Sequence, residues 1–316
     1  MSQQTHKYQD LQSFLYKHKK TGNEYTHNAL GNPPHSYPGS YNIPPNLNDT
    51  FLDLYIEDVF NKKKNSHLTE SHSNFSPILI DLDFRFKGEV NERKYTQDDL
   101  KKFLDCYIVE LEKYVNIEDC DLTAFIMEKS KPVYVSKKSI TKDGVHIIFP
   151  YLISEPKLQH ILRHKIIQNS ECKELFEKRS IINPIDDIYD ASVIEKNGWL
   201  LYGSKKPDGE PYKVTNVLEY NYEDKKLVKS ESKFNERDYV RLFSIRERSK
   251  DECVEIKEEM LSKLDRAFEK LPVKHKVKKR NKLKKKKNSS KKNKCDNIEF
   301  VKKLIKILSE ERANGF

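Results

Sequence analysis

The segment that most constrains this chain is Pro77-Ile78-Leu79-Ile80-Asp81-Leu82-Asp83-Phe84. Its apolar run reads as a fully buried β-strand. Side chains alternate along a strand, so Asp81 and Asp83 share one face and Leu82 takes the other. Two adjacent carboxylates repel and are costly to bury unless something neutralises them. A divalent cation is the simplest neutraliser, and oxygen-only ligands select Mg²⁺ or Mn²⁺, the ions of phosphate chemistry. The alternative is a strand that runs out into solvent and ends on two hydrated acids. Asp-x-Asp is a common tripeptide and does not decide between them.

A chain of 316 residues with 36% hydrophobic and 10% aromatic residues can bury a sizeable core. No stretch approaches the ~18 consecutive apolar residues of a membrane helix. Met1 to Lys20 is polar and lacks a signal core. An intracellular protein without a membrane partner is expected. Cys106, Cys120, Cys172, Cys253 and Cys295 are scattered and form no Cys-x-x-Cys pair. Reduced thiols follow, and a zinc ribbon does not. His160 and His164, four apart on a helix, read as surface histidines.

The net charge of +10 is concentrated in one place. Residues 274–294 hold thirteen Lys and Arg and no acid, and without them the 49 acids outnumber the remaining bases. That segment cannot bury anything and reads as a disordered tether. Lys284, Lys285, Lys286 and Lys287 in it suit contact with a phosphate backbone through counterion release.

The pattern gives four regions. Residues 1–50 carry an amphipathic helix around Leu11, Phe14 and Leu15, then a Pro/Gly/Asn-rich loop from Tyr25 to Leu47. Residues 51–271 form the core, 272–294 the Lys-rich linker, and 295–316 the start of a further helical domain, cut off, with a helix over Asp296–Glu311. Within the core, Phe51–Phe60 has helical spacing. Thr96-Gln97-Asp98-Asp99 is a capping box opening a helix with Leu100, Phe103, Leu104, Tyr107, Ile108 and Leu111 on one side. Strands are expected at 124–128, 133–135, 144–152, 199–202 and 214–220, with a turn at Lys142-Asp143-Gly144. Helices are expected at 158–168, 237–246 and 253–271. Mixed strands and helices give an α+β fold.

Two further constellations carry chemistry. In Gly144-Val145-His146-Ile147-Ile148-Phe149-Pro150, Val145, Ile147 and Phe149 face one side while Gly144, His146 and Ile148 face the other. His146 reads as a satisfied core histidine or as a donor to phosphate beside a small residue, with Lys142 adding charge. Asp190 is a candidate third carboxylate, with Asp186 and Asp187 near enough to replace it. Gly203-Ser204-Lys205-Lys206 follows a strand and reads as a basic surface turn or as a cradle for a triphosphate. It is not a Walker A motif. The lone Trp199 reads as core. Acids for metal, a phosphate-donor histidine and a basic turn together are the parts of nucleotidyl transfer.

The order of these motifs resembles archaeo-eukaryotic-type primases, in particular the primase portion of primase-helicases of poxvirus-like nucleocytoplasmic large DNA viruses. Asp81 and Asp83 match the family's acid-x-acid pair. Gly144-Val145-His146 matches its small-x-His motif, with glycine where many relatives carry serine. Asp190 matches its third acid, and Trp199 to Lys205 matches a stretch of the viral branch. Tyr25-Thr26-His27 and His67-Leu68-Thr69-Glu70 extend the similarity upstream. The resemblance implies two packed α/β units, one with an RRM-like sheet, and an active site in the cleft between them. It implies two Mg²⁺ or Mn²⁺ ions on Asp81, Asp83 and Asp190. It also implies nucleoside triphosphate held by His146, Gly144, Lys142, Ser204, Lys205 and Lys206. Primers would be made on single-stranded DNA template, with a helicase downstream or on a separate chain, at viral replication sites in the host cytoplasm. No helicase P-loop occurs here. Competing readings are a noncatalytic DNA-binding or helicase-loading scaffold, and an Asp-x-Asp nucleotide-sugar transferase.

Overall fold

The computed structural model describes residues 8–31, 38–231 and 233–272. The stretch from 273 onward lies outside the described residues. It includes nearly all of the Lys-rich linker, Lys284 to Lys287, and the helix expected over Asp296–Glu311.

The chain order is α1 (Leu11–Lys17), β1 (His27–Ala29), β2 (Gly39–Tyr41), α2 (Asn48–Ile56), β3 (Leu68–Glu70), β4 (Ser76–Lys87) and α3 (Gln97–Glu112). It continues with β5 (Ala124–Glu128), β6 (Val133–Val135), β7 (Ile140–Ser154), α4 (Pro156–Gln168), α5 (Ser170–Glu177) and α6 (Ile185–Ile188). It closes with β8 (Trp199–Leu200), β9 (Lys213–Asn221), β10 (Lys226–Ser230), α7 (Asp238–Leu242) and α8 (Glu258–Lys270). β1 and β2 fall in the segment expected to be all loop. Three-residue strands carry too little pattern to be read from periodicity.

Two sheets form. The larger runs β10-β9-β5-β7-β4, with β6 paired to β7 beyond β5. The smaller runs β2-β1-β3-β8. All pairings in both are antiparallel. The large sheet buries both faces. On one, Ile78, Ile80, Leu82 and Phe84 of β4 and Val145, Ile147 and Phe149 of β7 pack with α3, α4 and α8. On the other, Leu79, Phe125, Met127 and Ile148 pack with α1, α2, α7 and Trp199 of the small sheet. Each large side chain so covered stabilises by roughly 1.5–3 kcal/mol.

The capping box at Thr96 forms as expected. The Asp99 carboxylate accepts from the Thr96 amide at 2.8 Å, and the Asp99 amide donates to the Thr96 hydroxyl at 3.2 Å. It starts α3 with Leu100, Phe103, Leu104, Tyr107, Ile108 and Leu111 all buried. Truncating one, as in Phe103→Ala, would cost about 3–5 kcal/mol.

Two expectations about strands are corrected. β4 does not end at the acids; it runs on to Lys87, paired rung by rung with β7. The two carboxylates are therefore mid-strand, not hydrated acids at a strand end. Likewise β7 passes straight through Lys142-Asp143-Gly144 instead of turning there. Asp143 is buried and held by Arg93, at 3.0 Å from Nε, and Gly144 pairs with Asp83. The turn occurs earlier, at Ser136–Lys138, with Ser139 in the left-handed region (φ 48°). His160 is also not on the surface. It is buried, with Nε2 3.1 Å from Glu195 Oε2. Among the described residues no helix is long and apolar enough to cross a membrane.

Candidate metal centre

The β4–β7 register builds the site. Asp81 lies opposite His146, and Asp83 opposite Gly144. All four sit on the sheet face turned toward the small sheet, as the alternation requires. The third acid arrives from the turn after α6. The Asp190 amide donates to the Asp81 carbonyl at 2.9 Å, and Tyr189 bridges Leu82. One carboxylate oxygen from each of Asp81, Asp83 and Asp190 lies within 4.8 Å of the others.

Buried Arg163 of α4 fixes where that turn runs. Its Nε donates to the Tyr189 carbonyl at 2.7 Å, and its Nη2 to the Asp186 carbonyl at 2.6 Å and carboxylate at 3.0 Å. Asp186 is thereby engaged by Arg163. Asp187 is exposed at the end of α6 and does not join the group. Asp190 accepts from the Ser192 amide at 2.8 Å and hydroxyl at 2.6 Å. These bonds set its rotamer and leave lone pairs for another ligand.

Asp81 bears the strain of the cluster. Its Oδ1 is buried and has no hydrogen-bond partner among the described residues. Burial, then the charges of Asp83 and Asp190, push its pKa well above the usual carboxylate range. That buried oxygen, with the carboxylates of Asp83 and Asp190 converging on it, makes an all-oxygen donor set that fits Mg²⁺ or Mn²⁺. The residues present therefore fit that ion.

His146 is held as a neutral ring. Its Nε2 lies 3.6 Å from Asp81 Oδ1, too far for a hydrogen bond. Burial, then Lys206 and Lys129, drive its pKa well below the ordinary histidine value, so the contact is not an ion pair. Trp199 packs on one side, with centroids 4.5 Å apart at 30°, and Tyr212 on the other, at 3.6 Å and 17°. Trp199 is core, as expected, and also a wall of the site. Gly144 makes room for Tyr212. A Cβ there would meet the Tyr212 hydroxyl at 2.8 Å.

The lysines divide. Lys206 is exposed and acts on both Asp81 and His146. Lys205 instead lines a separate hollow with Lys63 and Lys213. Ser204 is buried; its hydroxyl bonds Tyr55 at 2.8 Å and Ser66 at 2.9 Å, and accepts from the Leu68 amide at 3.2 Å. It braces the basic turn from beneath. Lys142 is exposed opposite Arg85, two rungs beyond Asp83.

Three residues escape the sequence reading. Lys129 lies in the field of Asp83 and Asp81, with its ammonium 4.9 Å from the Tyr212 ring centroid. Its pKa is lowered, first by burial and then by Lys206. Arg93 Nη2 holds its carbonyl at 2.8 Å. The available signal was a cation directly after a buried strand. Tyr212 and Arg163 carried no local signal, because long-range packing brings them in.

The family model described as "C962R protein N-terminal AEP domain" matches residues 34–218. The chain is 35% identical over 181 residues to "Putative helicase L207/L206" of Acanthamoeba polyphaga mimivirus, covering 57% of this chain and 18% of that protein. It is 26% identical over 312 residues to "Putative helicase 121R" of Invertebrate iridescent virus 3, covering 92% of this chain and 32% of that protein. The chain thus spans less than a third of the length of either relative.

Proposed function

Because the chain belongs to the archaeo-eukaryotic primase (AEP) family, in the branch of the C962R N-terminal domain, we propose that it is the metal-dependent nucleotidyltransferase of a viral primase-helicase. It makes primers on single-stranded DNA from nucleoside triphosphates, at sites of viral replication. The observation that carries this reading is the convergence of Asp81, Asp83 and Asp190, with one buried oxygen that has no hydrogen-bond partner among the described residues.

Asp81, Asp83 and Asp190 hold the cations. Two Mg²⁺ or Mn²⁺ ions, when bound, lower the pKa of an attacking 3′-hydroxyl and neutralise the leaving pyrophosphate. Lys206 and Lys129 supply fixed positive charge toward the phosphates. His146, clamped between Trp199 and Tyr212, presents its Nε2 edge beside Asp81 as a neutral hydrogen-bonding group. Arg163 holds the third acid in register through the Tyr189 carbonyl. Gly144 keeps the wall shallow enough for Tyr212. Ser204 shapes the turn, while Lys142 and the Lys284–Lys287 run add charge along the template strand. The helicase-named relatives support a motor acting beside this module.

The test is primer synthesis on single-stranded DNA with nucleoside triphosphates and Mn²⁺ or Mg²⁺. Wild type should form product, and Asp81→Asn/Asp83→Asn should lose at least about 100-fold. Full activity in that variant would sink the assignment. Unaltered replication and DNA affinity would instead favour a scaffold role.

A further inference from the structure

Beside the metal centre, across Tyr212, lies an open hollow of about 200 Å³. Lys63, Lys64, Lys205 and Lys213 line it, with Glu236 the one acid among the described residues there and Phe60 as an aromatic wall. Its charge is strongly positive and much of it is unspent. Lys64 pairs with Asp58 at 3.0 Å, and Lys213 with Glu236 at 3.7 Å. Lys63 and Lys205 make no ion pair among the described residues.

Lys63 reaches this place at a cost. It follows a π-helical turn at Glu57–Asn61 and sits in the left-handed region at φ 56°. A non-glycine residue there costs about 1–3 kcal/mol and persists only where surroundings impose it. Buried Asp58 imposes it by gathering Lys62 at 3.2 Å and Lys64 at 3.0 Å, and its carbonyl accepts from the Lys64 amide. Phe60 is half-buried and parallel to Tyr202, with centroids 6.2 Å apart at 8°. Gly203 (φ +89°) permits this, since a Cβ there would meet the Phe60 ring at 2.8 Å. One turn therefore sends Lys206 toward the acids and Lys205 into the hollow.

We propose that this hollow is a second anion site that grips a backbone phosphate of single-stranded nucleic acid beside the metal centre, with Phe60 as a stacking platform for a base. Its volume favours this occupant. Enclosing sites for small molecules start near roughly 300 Å³, so the hollow takes part of a passing strand better than a whole second nucleotide. Lysines interleaved with an aromatic are the usual chemistry of sequence-tolerant single-strand binding. The inference rests on the nucleotidyltransferase reading and adds the strand's path to it.

The test uses the full chain and a fluorescent single-stranded oligonucleotide of about 12 nucleotides. Affinity is followed by anisotropy between about 50 and 200 mM salt. Lys63→Gln/Lys205→Gln should shrink the slope of log K against log salt by about 0.7, the value for one phosphate contact on a single strand. Affinity should fall about tenfold at the lower salt, and nucleoside triphosphate binding with Mn²⁺ should stay within about twofold. Lys113→Gln/Lys178→Gln, at exposed positions capping the C-terminal ends of α3 and α5, should change neither. Lys205→Gln alone should give half the slope change, which covers the case in which altering strained Lys63 perturbs folding. An unchanged slope overturns the proposal. So does an equal loss in the Lys113/Lys178 control, or triphosphate affinity falling together with strand affinity, which would make the hollow a nucleotide site. Failure of the parent reading looks different: primer synthesis would survive Asp81→Asn/Asp83→Asn whatever the slope does.

Discussion

Asp81→Asn should make the metal-free protein more stable and the metal-loaded protein no better than metal-free. Asp81 has a buried oxygen with no hydrogen-bond partner among the described residues and faces two carboxylates within 4.8 Å. Two like charges at that distance repel by about 3.5 kcal/mol at an effective dielectric of 20. Asp83 and Asp190 are partly exposed, so solvent screens the pair, and about 1–3 kcal/mol is the reasonable net relief. An isosteric amide keeps the packing and removes the charge. For a domain of this size the metal-free Tm should rise by roughly 2–8 °C. Wild type should behave oppositely on adding Mn²⁺. At 100 times its Kd, a cation bound only by the folded state adds about 2.7 kcal/mol. The assay is thermal unfolding with chelator or with Mn²⁺, for wild type and variant. A variant less stable than wild type in chelator refutes the electrostatic reasoning. So does a variant whose Mn²⁺ shift equals that of wild type.

Other expected outcomes follow from the same contacts. Arg163→Lys keeps the charge but loses the forked grip on Tyr189 and Asp186. It should lower stability by about 2–4 kcal/mol and weaken Mn²⁺ binding about tenfold, read by thermal unfolding and by titration. Trp199 is the chain's single tryptophan and packs on His146 beside Asp81. Its fluorescence should be quenched by paramagnetic Mn²⁺ and much less by Mg²⁺, and Asp81→Asn should abolish the Mn²⁺ response. Gly144→Ala should cost about 1–3 kcal/mol because its Cβ meets the Tyr212 hydroxyl. Tyr212→Phe removes that oxygen, so the double variant should recover at least 0.5 kcal/mol or so relative to additivity; strict additivity in chemical denaturation would exclude the contact.

Much of this arrangement is legible in the sequence where the chemistry is local. The alternation of β4 places Asp81 and Asp83 on one face, and that of β7 places Gly144 and His146 together. Period-2 patterning carries that information whatever the partner strand. The capping box of α3 is equally local. What periodicity lacks is register. That Asp81 faces His146 follows from long-range pairing, as does the selection of Asp190 over Asp186, which Arg163 decides from a different helix. The turn expected at Lys142-Asp143-Gly144 illustrates the same limit. Its turn-like residues stay in a strand because Arg93, remote in sequence, satisfies buried Asp143. The Gly203-Ser204-Lys205-Lys206 turn was recognisable as basic. Its division into one lysine facing the acids and one facing away depends on where Tyr212 packs.

The central claim, that Asp81, Asp83 and Asp190 hold the cations of a nucleotidyl transfer, is tested most directly by a crystal structure. The crystals should contain Mn²⁺ and a non-hydrolysable nucleoside triphosphate, with Mn²⁺ located by anomalous scattering. The account expects Mn²⁺ at about 2.0–2.2 Å from oxygens of all three acids, with the phosphates bridging the metal to His146, Lys206 and Lys129. Mn²⁺ absent from the three carboxylates at saturating concentration, or triphosphate seated elsewhere, would contradict it.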